Sequence, residues 1–150
     1  MYKRILVAID GSPASRRGLK EAIRLAKGAR ARLLLLHVID EVALVAAFPG
    51  ALHTVDMVAP VREAGKTILA RGREQAQLAG VSSQALLVES LEGSVAERIV
   101  REARRWRADL LVLGTHGRRG MRRMVMGSDA ELVVREASTP VLLVRAPGRA

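Results

Sequence analysis

The sequence predicts an α/β domain, with strands and helices alternating along the chain and a parallel sheet covered by helices on both faces. Three observations carry that expectation. Continuous apolar runs, KRILVAI at 3–9, RLLLLHVI at 32–39 and DLLVLGT at 109–115, have the length and composition of strands buried on both faces. Between them, apolar residues recur at helical spacing with cations interleaved. Capping and turn residues fall at the joints.

The first strand, 3–9, is closed by Asp10-Gly11. Ser12 then stands as an N-cap and Pro13 at the first helical position. Leu19, Ala22, Ile23 and Ala26 form the apolar face of the helix that follows. The second strand is 32–39. Residues 41–59, with Phe48-Pro49-Gly50 inside, carry no clean period and read as a loop with a short helical turn. A helix is predicted over 60–79, with Ala64, Ile68 and Ala79 on one face and Gly80 as its stop. A third strand follows at 84–90 (QALLVES). Ser94 and Glu97 form a capping box that opens a helix whose inner face is Val95, Ile99, Ala103 and Trp106. The fourth strand is 109–115. Ser128 and Glu131 are spaced as a second capping box for a helix running to Ala137, and 140–145 (PVLLVR) is the last strand. No internal repeat is present. The expectation is one domain over 1–146 with a frayed tail at 147–150.

Composition narrows the function classes. The 150 residues suffice for one real core. There is no cysteine, which excludes disulfides, thiolate metal sites and cysteine nucleophiles. The opening residues do not have the pattern of a secretory leader, and no apolar run approaches a membrane span, so a soluble cytoplasmic protein is expected, with no membrane partner. The net charge is +10, from 25 Lys and Arg against 15 Asp and Glu. The cations are spread over several segments, which favours solvated helix faces over a nucleic-acid footprint. Aromatics are 2% of residues, too few for a base-stacking platform. No sequence-specific nucleic-acid partner is expected.

One motif carries chemistry: Gly114-Thr115-His116-Gly117, nine residues, then Gly127-Ser128. Gly114 ends a strand and, lacking a Cβ, lets a ligand approach the backbone. Gly117 permits a tight turn. Gly127-Ser128 opens a helix whose free N–H groups and positive dipole end suit an anion. Strand, glycine loop and helix start together read as a phosphate cradle. The alternative is that the glycines are turn residues and Ser128 caps a helix. His116 lies in this loop, either on a phosphate or lining the turn. Arg118, Arg119, Arg122 and Arg123 in the nine-residue insert read as a solvated loop or as a phosphate clamp.

This spaced glycine motif, together with ILVAIDGS at the start, LLHVID, ADLLVLGTHGRRG and STPVLLVR at the end, resembles the ATP-binding universal stress proteins over nearly the whole chain. The resemblance implies a Rossmann-like three-layer α/β/α sandwich with a five-stranded parallel sheet of order 3-2-1-4-5. It implies that Gly114, Gly117, Gly127 and Ser128 hold phosphates and ribose. Asp10 matches the family's acidic residue near the nucleotide, and Ala8, Ile9 and Val38 match adenine-side contacts. Leu113, Asp129 and Ala130 match backbone or packing positions around the loop. ATP is the implied ligand, with Mg²⁺ or Mn²⁺ on its phosphates and no protein ligand for the cation identifiable. A homodimer through the last strand is implied as well. That agrees with Val141, Leu142, Leu143 and Val144 forming an apolar run on what would be an exposed edge.

Asp10 has a local reading too, as a turn residue bonding nearby N–H groups. Gly65-Lys66-Thr67 is not a phosphate loop, since it sits inside a helical period and Pro60 occupies the place of the first glycine. His37, His53 and His116 lack metal-ligand spacing, and His37 reads as a satisfied histidine near a strand end. No residue set assembles a general base with a positioned water, so ATP hydrolysis is expected to be slow or negligible. The leading expectation is a nucleotide-dependent regulator in the stress response, with an unknown protein partner. The alternatives are a basic nucleic-acid-associated protein and an adenine-nucleotide enzyme.

Overall fold

Alternate residues of each buried run serve opposite faces of one sheet. Ile5, Val7, Leu33 and Leu35 belong to one apolar layer, and Leu6, Leu34, Leu36 and Leu111 to the other. Each such side chain, fully buried, contributes roughly 1.5–3 kcal/mol. A continuous hydrophobic stretch is therefore what a strand covered on both faces requires. The computed structural model describes residues 1–49, 56–116 and 126–146.

Within them the order is β1 (Arg4–Ala8), α1 (Pro13–Ala29), β2 (Arg32–Asp40), α2 (Glu41–Ala47), α3 (Val58–Leu78), β3 (Ser83–Ser90), α4 (Val95–Trp106), β4 (Leu110–Gly114), α5 (Ser128–Glu136) and β5 (Val141–Val144). All strand pairs are parallel and the sheet order is β3-β2-β1-β4-β5, as the resemblance implied. Helices α1 and α3 cover one face; α4 and α5 cover the other.

Capping follows the sequence at α1 and α4. Ser12 Oγ accepts from Ser15 N–H and Pro13 opens α1, while Ser94 and Glu97 form the reciprocal box at α4. Helices α1, α3 and α4 end alike. In each, a left-handed residue (Arg30, Gly80, Arg107) bonds back to the last turn. The next N–H then reaches a carbonyl five residues earlier: Ala31 to Ala26, Val81 to Ala76 and Ala108 to Ala103.

Three expectations need correction or sharpening. The short helical turn expected within 41–59 is a seven-residue helix, α2 over 41–47, started by Asp40, whose carboxylate accepts from Ala43 N–H at 2.9 Å. Helix α3 begins at Val58, and its fully buried residues are Gly65, Leu69, Gly72 and Ala76; Ile68 and Ala79 of the expected face pack half-buried against the same layer, while Ala64 is exposed. The glycines are inward because the helix lies close on the sheet. A Cβ at Gly65 would stand 2.7 Å from His37 Cδ2, and one at Gly72 would stand 3.0 Å from Leu35 Cδ1. The proposed box at Ser128 does not form. Gly127 is the N-cap, Ser128 is already helical, and Glu131 N–H bonds the Gly127 carbonyl.

Candidate functional site at the carboxyl end of the sheet

The turn after β1 and the loop after β4 are tied to each other. Ile9 N–H donates to the Leu36 carbonyl at 2.8 Å, extending the pairing of β1 with β2. The chain then turns at Asp10, whose carboxylate accepts from Ser12 N–H at 2.8 Å, the local bond expected of a turn aspartate. Ser15 Oγ accepts from Asp10 N–H at 3.2 Å. Ser12 Oγ, besides capping α1, donates to the His116 carbonyl at 3.3 Å. Thr115 N–H donates to the Val144 carbonyl at 2.9 Å, and the Thr115 carbonyl accepts from Gly127 N–H at 2.8 Å. The result is a continuous polar path from Asp10 through Ser12 and His116 to Thr115 and Gly127, where α5 begins.

The motif glycines have different reasons. Gly114 does not leave open space on its Cβ side: a Cβ there would lie 2.8 Å from Ser15 N and 2.9 Å from Ala14. The first turn of α1 fills the position that the sequence reading assigned to ligand approach. Gly127 sits where a Cβ would be 3.3 Å from the Thr115 carbonyl oxygen. Gly117 and the arginines 118, 119, 122 and 123 lie outside the described residues. No side chain among the described residues caps α5, in contrast to α1, α2 and α4. The N-cap of α5 is a glycine, which has no side chain to turn toward the first-turn N–H groups.

The remaining motif positions surround this path. Ile9, Leu113 and Ala130 are buried, Ala8, Asp10 and Val38 are half-buried, and Ser128 and Asp129 are exposed. Val38 sits on β2 beside Val88, two residues beyond Leu36, the partner of Ala8. His37 is 5% exposed and its Nδ1 lies 2.7 Å from the Ile9 carbonyl oxygen. A carbonyl only accepts, so that nitrogen carries the proton. The ring thus holds the peptide that leads into Asp10, consistent with its reading as a satisfied histidine. His116 Nδ1 meets Thr115 Oγ1 at 3.1 Å. Sequence reasoning missed Ser15, took Thr115 only as part of the glycine motif, and gave Ser12 no role beyond its cap and its place in the turn. Their roles depend on partners across the fold.

A second polar group lies on the rim beyond β2 and β3. The Arg62 guanidinium pairs with both oxygens of Glu89, holds its carboxyl below the usual range, and is itself raised by it. Burial pushes Glu41 up, reinforced by its hydrogen bond to Glu89. Among the described residues no group of three or more His, Asp or Glu could hold a metal ion. No helix among them is long and apolar enough to cross a membrane.

Comparison with known proteins matches this architecture to one group. Residues 1–145 match the universal stress protein family, and the chain belongs to it. Universal stress protein MJ0531 of Methanocaldococcus jannaschii is 35% identical over 150 residues, covering 98% of this chain and 84% of its own. A universal stress protein family structure from Burkholderia pseudomallei superposes with a TM-score of 0.76 at 36% identity, covering 95% and 96% of the two chains. A universal stress protein solved in complex with cAMP superposes with a TM-score of 0.69 at 27% identity, covering 97% and 98%.

Proposed function

We propose that this universal stress protein binds ATP over the carboxyl ends of β1 and β4 and works as a nucleotide-dependent regulator in the stress response. The observation that carries the reading is the start of α5. Gly127, an N-cap without a side chain, holds the start of α5 against the end of β4, on the same polar path as the Asp10 turn. A helix start of this kind favours a phosphate through its backbone N–H groups and its dipole. In this reading Gly114, Gly117, Gly127 and Ser128 frame the phosphate and ribose side. Ala8, Ile9 and Val38 flank the adenine, Asp10 accepts from ribose or base, and Leu113, Asp129 and Ala130 pack around the loop. A relative complexed with cAMP supports an adenine nucleotide. Mg²⁺ or Mn²⁺ would rest on the phosphates themselves. Binding would stabilise the loop and α5 and so shift a surface read by a protein partner.

The same reading makes the chain one cytoplasmic domain over 1–146 that dimerises through β5, the edge strand of the sheet. Val144 is buried on the α1 side, so Val141 is the residue to change. Sedimentation of the wild type at micromolar concentration should give a dimer, and Val141→Lys should weaken it. A wild type monomeric at about 100 μM would refute the dimer.

The nucleotide test is ligand release with mass spectrometry, followed by thermal unfolding with ATP and Mg²⁺. ATP at about 100 times its Kd adds ~2.7 kcal/mol of stability. Gly117→Val should abolish that gain. An undiminished gain in folded Gly117→Val protein would take the glycine loop out of the site, and equal gains from ADP or AMP would remove the preference for ATP.

A further inference from the structure

The end of the sheet opposite the candidate site collects cations from segments far apart in the chain. Arg4 and Arg32 are register partners on adjacent strands. Arg32 N–H donates to the Lys3 carbonyl at 2.9 Å, Asp109 N–H donates to the Arg4 carbonyl at 2.9 Å, and Lys3 Nζ donates to the Ala29 carbonyl at 3.0 Å. These bonds bring Lys3, Arg4, Arg32 and the helix caps Arg30 and Arg107 to the same end of the sheet. Lys27, Arg104 and Arg105 join it from the last turns of α1 and α4. Because α1 and α4 lie on opposite faces, the surface spans both layers of the molecule.

These charges are not neutralised internally. Among the described residues, none of Lys3, Arg4, Arg30, Arg32, Arg105 and Arg107 has a carboxylate within ion-pair distance. The adjacent acid, Asp109, accepts instead from the backbone N–H groups of Lys3 and Arg4, at 2.8 and 2.9 Å. Helix dipoles account for cations in the last turns of α1 and α4. They do not account for Arg4 and Arg32, which open strands, or for Lys3, which precedes β1.

Two of the arginines also stand in strained backbone. Three equivalent helix ends require a left-handed residue; α3 uses Gly80, while α1 and α4 use Arg30 at φ 52° and Arg107 at φ 54°. Glycine is the unstrained choice there. Arginine at both ends places two guanidinium groups on hydrogen-bonded, fixed caps, flanking the strand starts.

We propose that this amino end of the sheet docks the phosphate backbone of duplex nucleic acid, by charge and without reading sequence. Arginine predominates, and its planar fork matches phosphate oxygens. Among the described residues the aromatics beside these cations are Tyr2 and Trp106, too few for a base-stacking platform, so the contacts are to phosphates. An anionic membrane shares the charge chemistry, but the surface consists of strand starts and helix caps and lacks the apolar helix face that inserts into a bilayer.

The experiment uses the full chain without added nucleotide, so its result is independent of ATP binding. A labelled DNA duplex of mixed sequence is titrated between about 50 and 200 mM salt, where phosphate contacts give a slope near −0.9 per contact. The triple variant Arg30→Gln, Arg32→Gln, Arg107→Gln should flatten the slope by about 3 and weaken low-salt binding by about tenfold or more. The double variant Arg30→Gly, Arg107→Gly, which the left-handed caps accommodate, should flatten it by about 2. The mid-helix control Lys20→Gln, Arg71→Gln, Arg101→Gln removes the same charge and should leave the slope nearly unchanged. Equal losses in triple and control, or no duplex binding by the wild type at low salt, would overturn the proposal. So would binding to phosphatidylserine vesicles at a salt concentration where duplex binding has vanished.

Discussion

The two ends of the sheet are built from the same elements and finished in opposite ways. At the amino end, α1, α3 and α4 each return to a strand through the same left-handed cap, with the last carbonyls satisfied by backbone N–H groups. Nothing is left open but charge. At the carboxyl end, strands leave for helices through turns held by side chains: Asp10, Ser12, Ser15 and Thr115. There α5 begins on a glycine N-cap, which has no side chain to bond the first turn. The difference teaches where each kind of recognition can arise. Closed backbone caps display side-chain charge, whereas side-chain-held turns leave backbone groups for a ligand.

The strongest way to break the contrast is to disturb the packing that brings the carboxyl-end turns together. In Gly114→Val, the new Cβ would strike backbone and Cβ atoms of Ala14 and Ser15, none of which is the far end of a flexible side chain. Overpacking of this kind costs about 1–3 kcal/mol or more. Urea unfolding should show that loss. Stability within a few tenths of the wild type would mean that α1 shifts freely on β4.

The same region shows what could be read from sequence and what could not. The buried strands were legible because a parallel sheet covered on both faces demands unbroken apolar runs, and β1, β2 and β4 have them. The caps at Ser12 and Ser94 were legible because their partners lie three residues away. Gly127 was misread because its position as N-cap is set by Thr115, a bond across the loop. The buried face of α3 was read only in part because Gly65 and Gly72 carry no hydrophobic signal; they are small because His37 and Leu35 are close. Gly114 was visible as part of a motif, but the neighbour that requires a glycine there is α1. The basic end was invisible because Lys3, Arg30, Arg32 and Arg107 look scattered until the strands pair.

A smaller effect tests the amino end. If arginine at the left-handed caps is retained for charge and not for stability, Arg30→Gly and Arg107→Gly should each stabilise the fold, by roughly 1 kcal/mol. Thermal unfolding checks the gain, and the same proteins should bind duplex more weakly. Destabilisation by both changes would show that the arginine stems pack and are structural.

The smallest expected effect sharpens the carboxyl end, where carboxylates crowd as cations do at the other. Glu41 has its carboxyl raised above the ordinary 4.5, first by burial and then by Glu89. Glu89 is lowered from the same value, first by its hydrogen bonds from Arg62. The two signs differ. The folded state binds the Glu41 proton more tightly than the unfolded chain, so Glu41 lowers stability as pH rises above about 4.5 through its raised value. Glu89 contributes stability that is full above about 4.5 and is lost as pH falls through its lowered value. Glu41→Gln removes the ionisation and can keep a donor toward Glu89. It should therefore raise the melting temperature slightly at pH 7, and the gain should disappear near pH 4, where the wild-type carboxyl is already protonated. Glu89→Gln should lose stability at pH 7, because it leaves the Arg62 guanidinium without its carboxylate. A Glu41→Gln gain of equal size at both pH values would show that the side chain acts through packing on the rim, and that the carboxyl end does not hold this charge at a cost to the fold.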